Sequence, residues 1–90
     1  RLQSVTALSP TLNYALGRPV IEGTTLRVMD VVALYKFKHR SPEEIAGDYV
    51  LTLAQVHAAL AYYYAHQDDI DSDLEHERRL IESARERADE

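Results

Sequence analysis

Hydrophobic positions along this chain change their period from two to about three and a half near residue 29. Before that point Leu26 and Val28 fall on one face of an extended strand, with Thr25 and Arg27 on the other. Residues 17–28 therefore predict a β-hairpin, with Val20-Ile21 in one strand, residues 24–28 in the other and Glu22-Gly23 at the turn. Arg18 precedes proline and is expected to be extended. Pro19 has no N–H to give a ladder, which confines its strand to an edge or to its own start. Upstream, Leu2, Val5 and Leu8 fit a short edge strand or arm, Ser9-Pro10 marks a turn, and Tyr14 and Leu16 fit small core anchors.

After residue 29 the helical spacing takes over. Residues 29–37 predict a first helix, with Val31, Val32, Leu34 and Tyr35 on its apolar side, Asp30 in its first turn and Lys36 near its end. Residues 41–64 predict a short helix, a tight turn and a longer helix. Ser41 caps the first with Pro42 behind it and Glu44 three residues on; Thr52 caps the second with Gln55 three residues on. Ile45, Ala46 and Tyr49 share one face, and Leu53, Val56, Leu60 and Tyr63 share another. That outline is a helix-turn-helix. The run of aspartates from 68 to 73 predicts a break. A terminal helix follows over residues 74–90, with a thin stripe of Leu74, Ile81, Ala84 and Ala88, too little to hold it unaided, so it is expected to order on a partner or stay mobile. The expected fold is thus mainly α: a helix-turn-helix-like helical core (residues 1–73) with a short N-terminal β-hairpin, followed by an acidic C-terminal helical arm (residues 74–90).

Charge sharpens this outline. The net charge is −5 over 90 residues. Residues 1–40 set Arg1, Arg18, Arg27, Lys36, Lys38 and Arg40 against Glu22 and Asp30, a balance of +4. Residues 41–66 hold three acids and no Lys or Arg, and residues 67–90 hold ten acids and four arginines, a balance of −6. Any phosphate-binding face must come from the N-terminal half. Hydrophobic residues at 46% and charged residues at 28% fit one globular domain. No apolar run approaches a membrane span, no signal-peptide pattern opens the chain, and the absence of cysteine excludes a disulfide framework, which together lead to an expectation of a cytoplasmic protein.

Catalytic and metal chemistry find little support. Asp69, Asp71 and Asp73 alternate like the start of a calcium loop, but Leu74 stands where that loop needs Gly and Leu80 where it needs Glu. His57, His66 and His76 have no ligand spacing, and no nucleophile elbow or Gly-rich phosphate loop occurs. The expectation is a non-enzyme with no metal, no cofactor and no small-molecule substrate.

Gly17-Arg18-Pro19, Ile21, Gly23-Thr24, Val28, the run SPEEI at residues 41–45, Leu51-Thr52, the run ALAYY at residues 59–63, and Ile70-Asp71 resemble a family of short prokaryotic proteins, domain of unknown function 433. Its members are often described as VapB-type antitoxins. The resemblance covers residues 12–73 and implies a helix-turn-helix-like core, a dimer and pairing with a PIN-like ribonuclease toxin. The family commonly has Arg where this chain has Thr25 and Gly where it has Lys38-His39-Arg40, and the acidic tail lies outside the shared region.

The function expected on these grounds is that of an antitoxin in a type II toxin–antitoxin pair, binding and neutralising a PIN-like toxin and binding operator DNA as a homodimer. The alternative is a dimeric protein-interaction module that does not bind DNA. For DNA, Lys36, Lys38, His39 and Arg40 would meet backbone, while Thr52 and Gln55 would open the recognition helix, Gln55 being suited to adenine. Gln55 is equally accounted for as the capping partner of Thr52. For the toxin, Leu74, Arg78, Arg79, Ile81 and Arg85 would form the contact, with arginines entering a carboxylate-rich metal pocket; surface pairs with Glu75 and Glu82 account for them as well. Val20, Ile21, Leu26 and Tyr63 are the expected dimer interface.

Overall fold

The computed structural model describes residues 12–88. The arm or strand expected at Leu2, Val5 and Leu8 and the turn at Ser9-Pro10 lie outside these residues. Two strands, β1 (Leu12–Ala15) and β2 (Arg18–Ile21), precede four helices, α1 (Val28–Lys36), α2 (Pro42–Tyr49), α3 (Leu53–Ala65) and α4 (Gln67–Ala88).

The hairpin lies earlier in the chain than the alternation indicates. β1 and β2 pair antiparallel from Leu12↔Ile21 to Ala15↔Arg18. Leu16 and Gly17 connect them with φ of 56° and 77°, the signature of a two-residue type I′ turn. Leu16 is a poor residue for that turn, so its sequence signal is weak. Neither it nor Tyr14 anchors the core; both side chains are exposed. Glu22-Gly23 is indeed a turn, with Gly23 at φ 81° and Thr24 N–H donating to the Ile21 carbonyl at 3.1 Å. Beyond it, however, residues 24–28 make a single bridge, Val20↔Arg27, and no strand. The competing force is helix initiation: the Asp30 carboxylate accepts from the Arg27 N–H at 2.9 Å and draws Val28 and Met29 into α1.

Both expected capping boxes are formed. Ser41 Oγ accepts from Glu44 N at 3.1 Å while Glu44 Oε1 accepts from Ser41 N at 2.9 Å. Thr52 and Gln55 repeat the arrangement at 3.1 and 2.8 Å. Between the helices, Val50 closes α2 in the left-handed region at φ 56°, ψ 49°.

The core gathers Ile21, Val28, Met29, Val31 and Val32 from the hairpin and α1, Ile45 from α2, Val56, Ala59, Leu60 and Tyr63 from α3, and Ile70 from α4. Burial of each large side chain is worth about 1.5–3 kcal/mol. Leu53 and Tyr49 miss this core and are nearly half exposed at the helix-turn-helix corner. Ile21 and Tyr63, expected at a dimer interface, are 0% and 1% exposed within this one chain, Val20 is buried as well and Leu26 is half-buried. They serve the chain's own core, and that assignment is corrected: a lone hairpin needs an apolar backing, and α1 and α3 supply it.

The break expected at residues 68–73 falls earlier. α3 ends at His66, whose N–H donates to Tyr62 O and Tyr63 O at 2.9 and 3.0 Å. α4 then runs unbroken through the aspartates, which occupy its opening turns, where acids complement the helix dipole. At 22 residues α4 is about 33 Å long and gives the molecule its 56 × 27 × 21 Å extents.

Candidate interaction surface

α4 is tied to the body by charge more than by apolar burial. After Ile70 and the half-buried Leu74, its contacts are polar. Asp73 faces Arg18 at 3.5 Å. Glu77 receives the Arg27 guanidinium through two parallel hydrogen bonds of 3.0 Å each. The same guanidinium holds Asp30 at 2.8 and 3.1 Å, and these two carboxylates raise its affinity for its proton further. Lys36 Nζ donates to the Tyr63 hydroxyl at 2.8 Å, and that hydroxyl donates to Asp71 Oδ1 at 2.8 Å. The ammonium also lies 5.2 Å from the Tyr63 ring centre. The hydrogen bond to the Tyr63 hydroxyl, with the Asp71 charge behind it, pushes the Lys36 pKa up.

These contacts decide where the N-terminal cations go. Arg18, Arg27 and Lys36 turn toward α4, and Arg40 pairs with Asp48 of α2. Of the residues expected to hold DNA backbone, Lys38 and His39 are exposed. Thr52 and Gln55 are close together, and their side-chain oxygens accept from each other's backbone N–H groups. The rest of the outward face of α3 consists of Leu53, Ala54, His57, Ala61 and Tyr64, without a Lys or Arg.

On the other flank α1 and α4 diverge and leave an apolar groove of about 450 Å³. Ala33 and Phe37 form one wall and Leu74 and Ile81 the other, with Lys36 and Arg78 at the rim. Phe37 is 60% exposed, Ile81 54% and neighbouring Leu80 56%. Phe37 and Ile81 thus leave large apolar side chains open to solvent on the two walls of the groove. Arg78 is held within α4 by Glu75 at 2.7 Å and Glu82 at 3.0 Å, and Arg79 by Glu75 at 3.0 Å. Arg78 first, then Arg79, bring the Glu75 pKa down to about 2. Arg85 is exposed one turn beyond Ile81. Of the arm residues expected to meet a partner, Leu74, Arg78 and Ile81 line this groove, and Arg79 and Arg85 are not among its lining residues.

Sequence reasoning missed Arg27, Glu77, Asp71 and Phe37. The Arg27/Asp30 spacing was a usable signal for a helix start. Nothing local connects Arg27 to Glu77, fifty residues away.

The fold is that of a small helix-turn-helix-like domain with an N-terminal hairpin and a long acidic C-terminal helix. Residues 11–63, more than half the chain, match the family described as "Protein of unknown function (DUF433)", and the chain belongs to it. No curated protein and no solved structure matches it. No described helix is long and apolar enough to cross a membrane.

Proposed function

We propose that the chain is a protein-binding module of the antitoxin kind, whose α1–α4 groove and projecting α4 take up a PIN-like ribonuclease. The observation that carries this is the joint exposure of Phe37 and Ile81 in the groove. An aromatic side chain, Phe37, and two aliphatic ones, Leu74 and Ile81, around a concavity have the make-up of an interface hot spot, and Glu75 and Arg78 that of its polar rim. The family resemblance supplies the kind of partner. Operator binding is the weaker reading, because Arg18, Arg27 and Arg40 are paired internally and α3 offers phosphates no cation.

The test is a ribonuclease inhibition assay with a PIN-like protein encoded beside this chain. Wild-type chain abolishes cleavage at a stoichiometric ratio, and Ile81→Asp weakens inhibition at least tenfold without changing the melting temperature, since Ile81 is half exposed. Full inhibition by Ile81→Asp would overturn the assignment of the groove. No inhibition by wild-type chain would overturn the antitoxin function.

A further inference from the structure

A second concavity lies between the hairpin turn and the α3–α4 junction, with a volume of about 490 Å³. Its size is that of a small-ligand pocket. Tyr14 and Tyr62 form its aromatic side: their hydroxyls are 2.6 Å apart and their rings meet edge to face at 6.4 Å. The His66 ring stacks on Tyr62 with centroids 4.0 Å apart. His66 Nδ1 lies 3.1 Å from the Tyr62 carbonyl oxygen. A carbonyl only accepts, so Nδ1 carries a hydrogen, and in the neutral ring Nε2 is the acceptor. Asp69, Ser72 and Asp73 complete the lining, with Arg18 beside Asp73 at 3.5 Å.

The polar groups of this cleft are mostly acceptors: two carboxylates, the lone pairs of three hydroxyls and an imidazole nitrogen. Arg18 is its one cation and is engaged by Asp73; Asp69 has no ion-pair partner among the described residues. The surroundings disfavour added negative charge. Burial, then the Tyr14 hydroxyl and the charge of Asp69, push the Tyr62 pKa up to about 12. Asp69 also stands in the first turn of α4, which offers its charge the helix dipole but no side-chain donor.

We propose that this cleft binds a guanidinium group, stacked against the Tyr14 face and hydrogen-bonded to Asp69 and its neighbours. Guanidinium is planar, carries five N–H donors and no acceptor, and packs on aromatic rings, which matches an acceptor-rich cleft with an exposed tyrosine. A bound anion would meet Asp69 and Asp73, and a purely apolar ligand would leave the Asp69 carboxylate without a partner. The guanidinium can come from another protein or from Arg85 and Arg87 on the exposed α4 of a second copy. The proposal is independent of the α1–α4 groove, with which this cleft shares no lining residue.

The test is a heteronuclear NMR titration of the full chain with N-acetyl-arginine amide, with N-acetyl-citrulline amide as the neutral probe of the same shape. Saturable shifts centred on Gly17, Tyr62, His66 and Asp69 are expected with the arginine probe alone. Asp69→Asn and Tyr14→Ala, both at exposed positions, are each expected to weaken binding roughly threefold to tenfold while preserving the circular dichroism spectrum. A dilution series distinguishes the sources. If a second copy supplies the group, the same signals move with protein concentration and Arg85→Ala with Arg87→Ala abolishes the movement. Equal shifts with the citrulline probe, or variants that bind the arginine probe as wild type does, would overturn the proposal. So would an absence of both saturable and concentration-dependent shifts.

Discussion

Val50 is the most strained side chain the helix-turn-helix carries. A β-branched residue at φ 56° is held there because α2 must end and Thr52 must cap α3 two residues later. Its side chain is exposed, so nothing apolar compensates. Val50→Gly is expected to raise stability by about 1 kcal/mol, read as a rise of roughly 4–8 °C in the melting temperature. A fall would mean that the left-handed cap is not the native geometry. Tyr63 is the opposite case, fully buried yet with a working hydroxyl between Lys36 and Asp71. Tyr63→Phe keeps the packing and removes both hydrogen bonds, and is expected to cost about 1–2 kcal/mol in chemical denaturation. No loss would show that water replaces the hydroxyl without penalty. The single residue sequence reasoning most misjudged is this one: its place on the α3 stripe was legible, but its hydroxyl partners come from α1 and α4, at separations of 27 and 8 residues.

Helices α1, α2 and α3 were legible in the chain because each signal is local. Ser41-Pro42-Glu44 and Thr52-Gln55 place two helix starts to the residue, and Val56, Leu60 and Tyr63 define the buried face of α3. The hairpin was displaced because its turn uses Leu16-Gly17, where the usual Asn-Gly signal is missing, while Glu22-Gly23 supplies a stronger-looking turn that leads into a helix instead. α4 was cut short because aspartates in a row read as a loop, although at a helix N-terminus they stabilise it. The arm's internal pairs give it a pH signature. The Glu75 pKa is lowered from the ordinary 4.5 to about 2, so its contribution to α4 is fully present above about 4.5 and is lost as pH falls through about 2. Helical circular dichroism is expected to decline over that window, and Glu75→Gln to remove that part of the decline. A profile unchanged in Glu75→Gln would contradict the pairing. Between the body and α4, Arg27→Ala is expected to raise hydrogen exchange in residues 74–81 more than in α3, since it frees Glu77.

At the scale of the whole molecule, the sequence's split into a basic front and an acidic tail has an internal explanation. Arg18 and Arg27 pair with α4 carboxylates, and Lys36 is joined to another through Tyr63. Charge counts along the chain carry no information on which cation meets which acid in space. What the pairing leaves open is an apolar groove walled by Phe37, Leu74 and Ile81. Ile81 was legible as part of a thin stripe, whereas Phe37 was not, since its exposure depends on where α1 ends relative to α4. The claim that this groove, and not the face of α3, receives a partner is tested most directly by hydrogen exchange on the full chain, alone and with a PIN-like protein that co-purifies with it. Protection is expected across residues 33–37 and 74–85, with exchange in residues 53–58 unchanged. Protection concentrated in residues 53–58, with the groove segments unaltered, would contradict it.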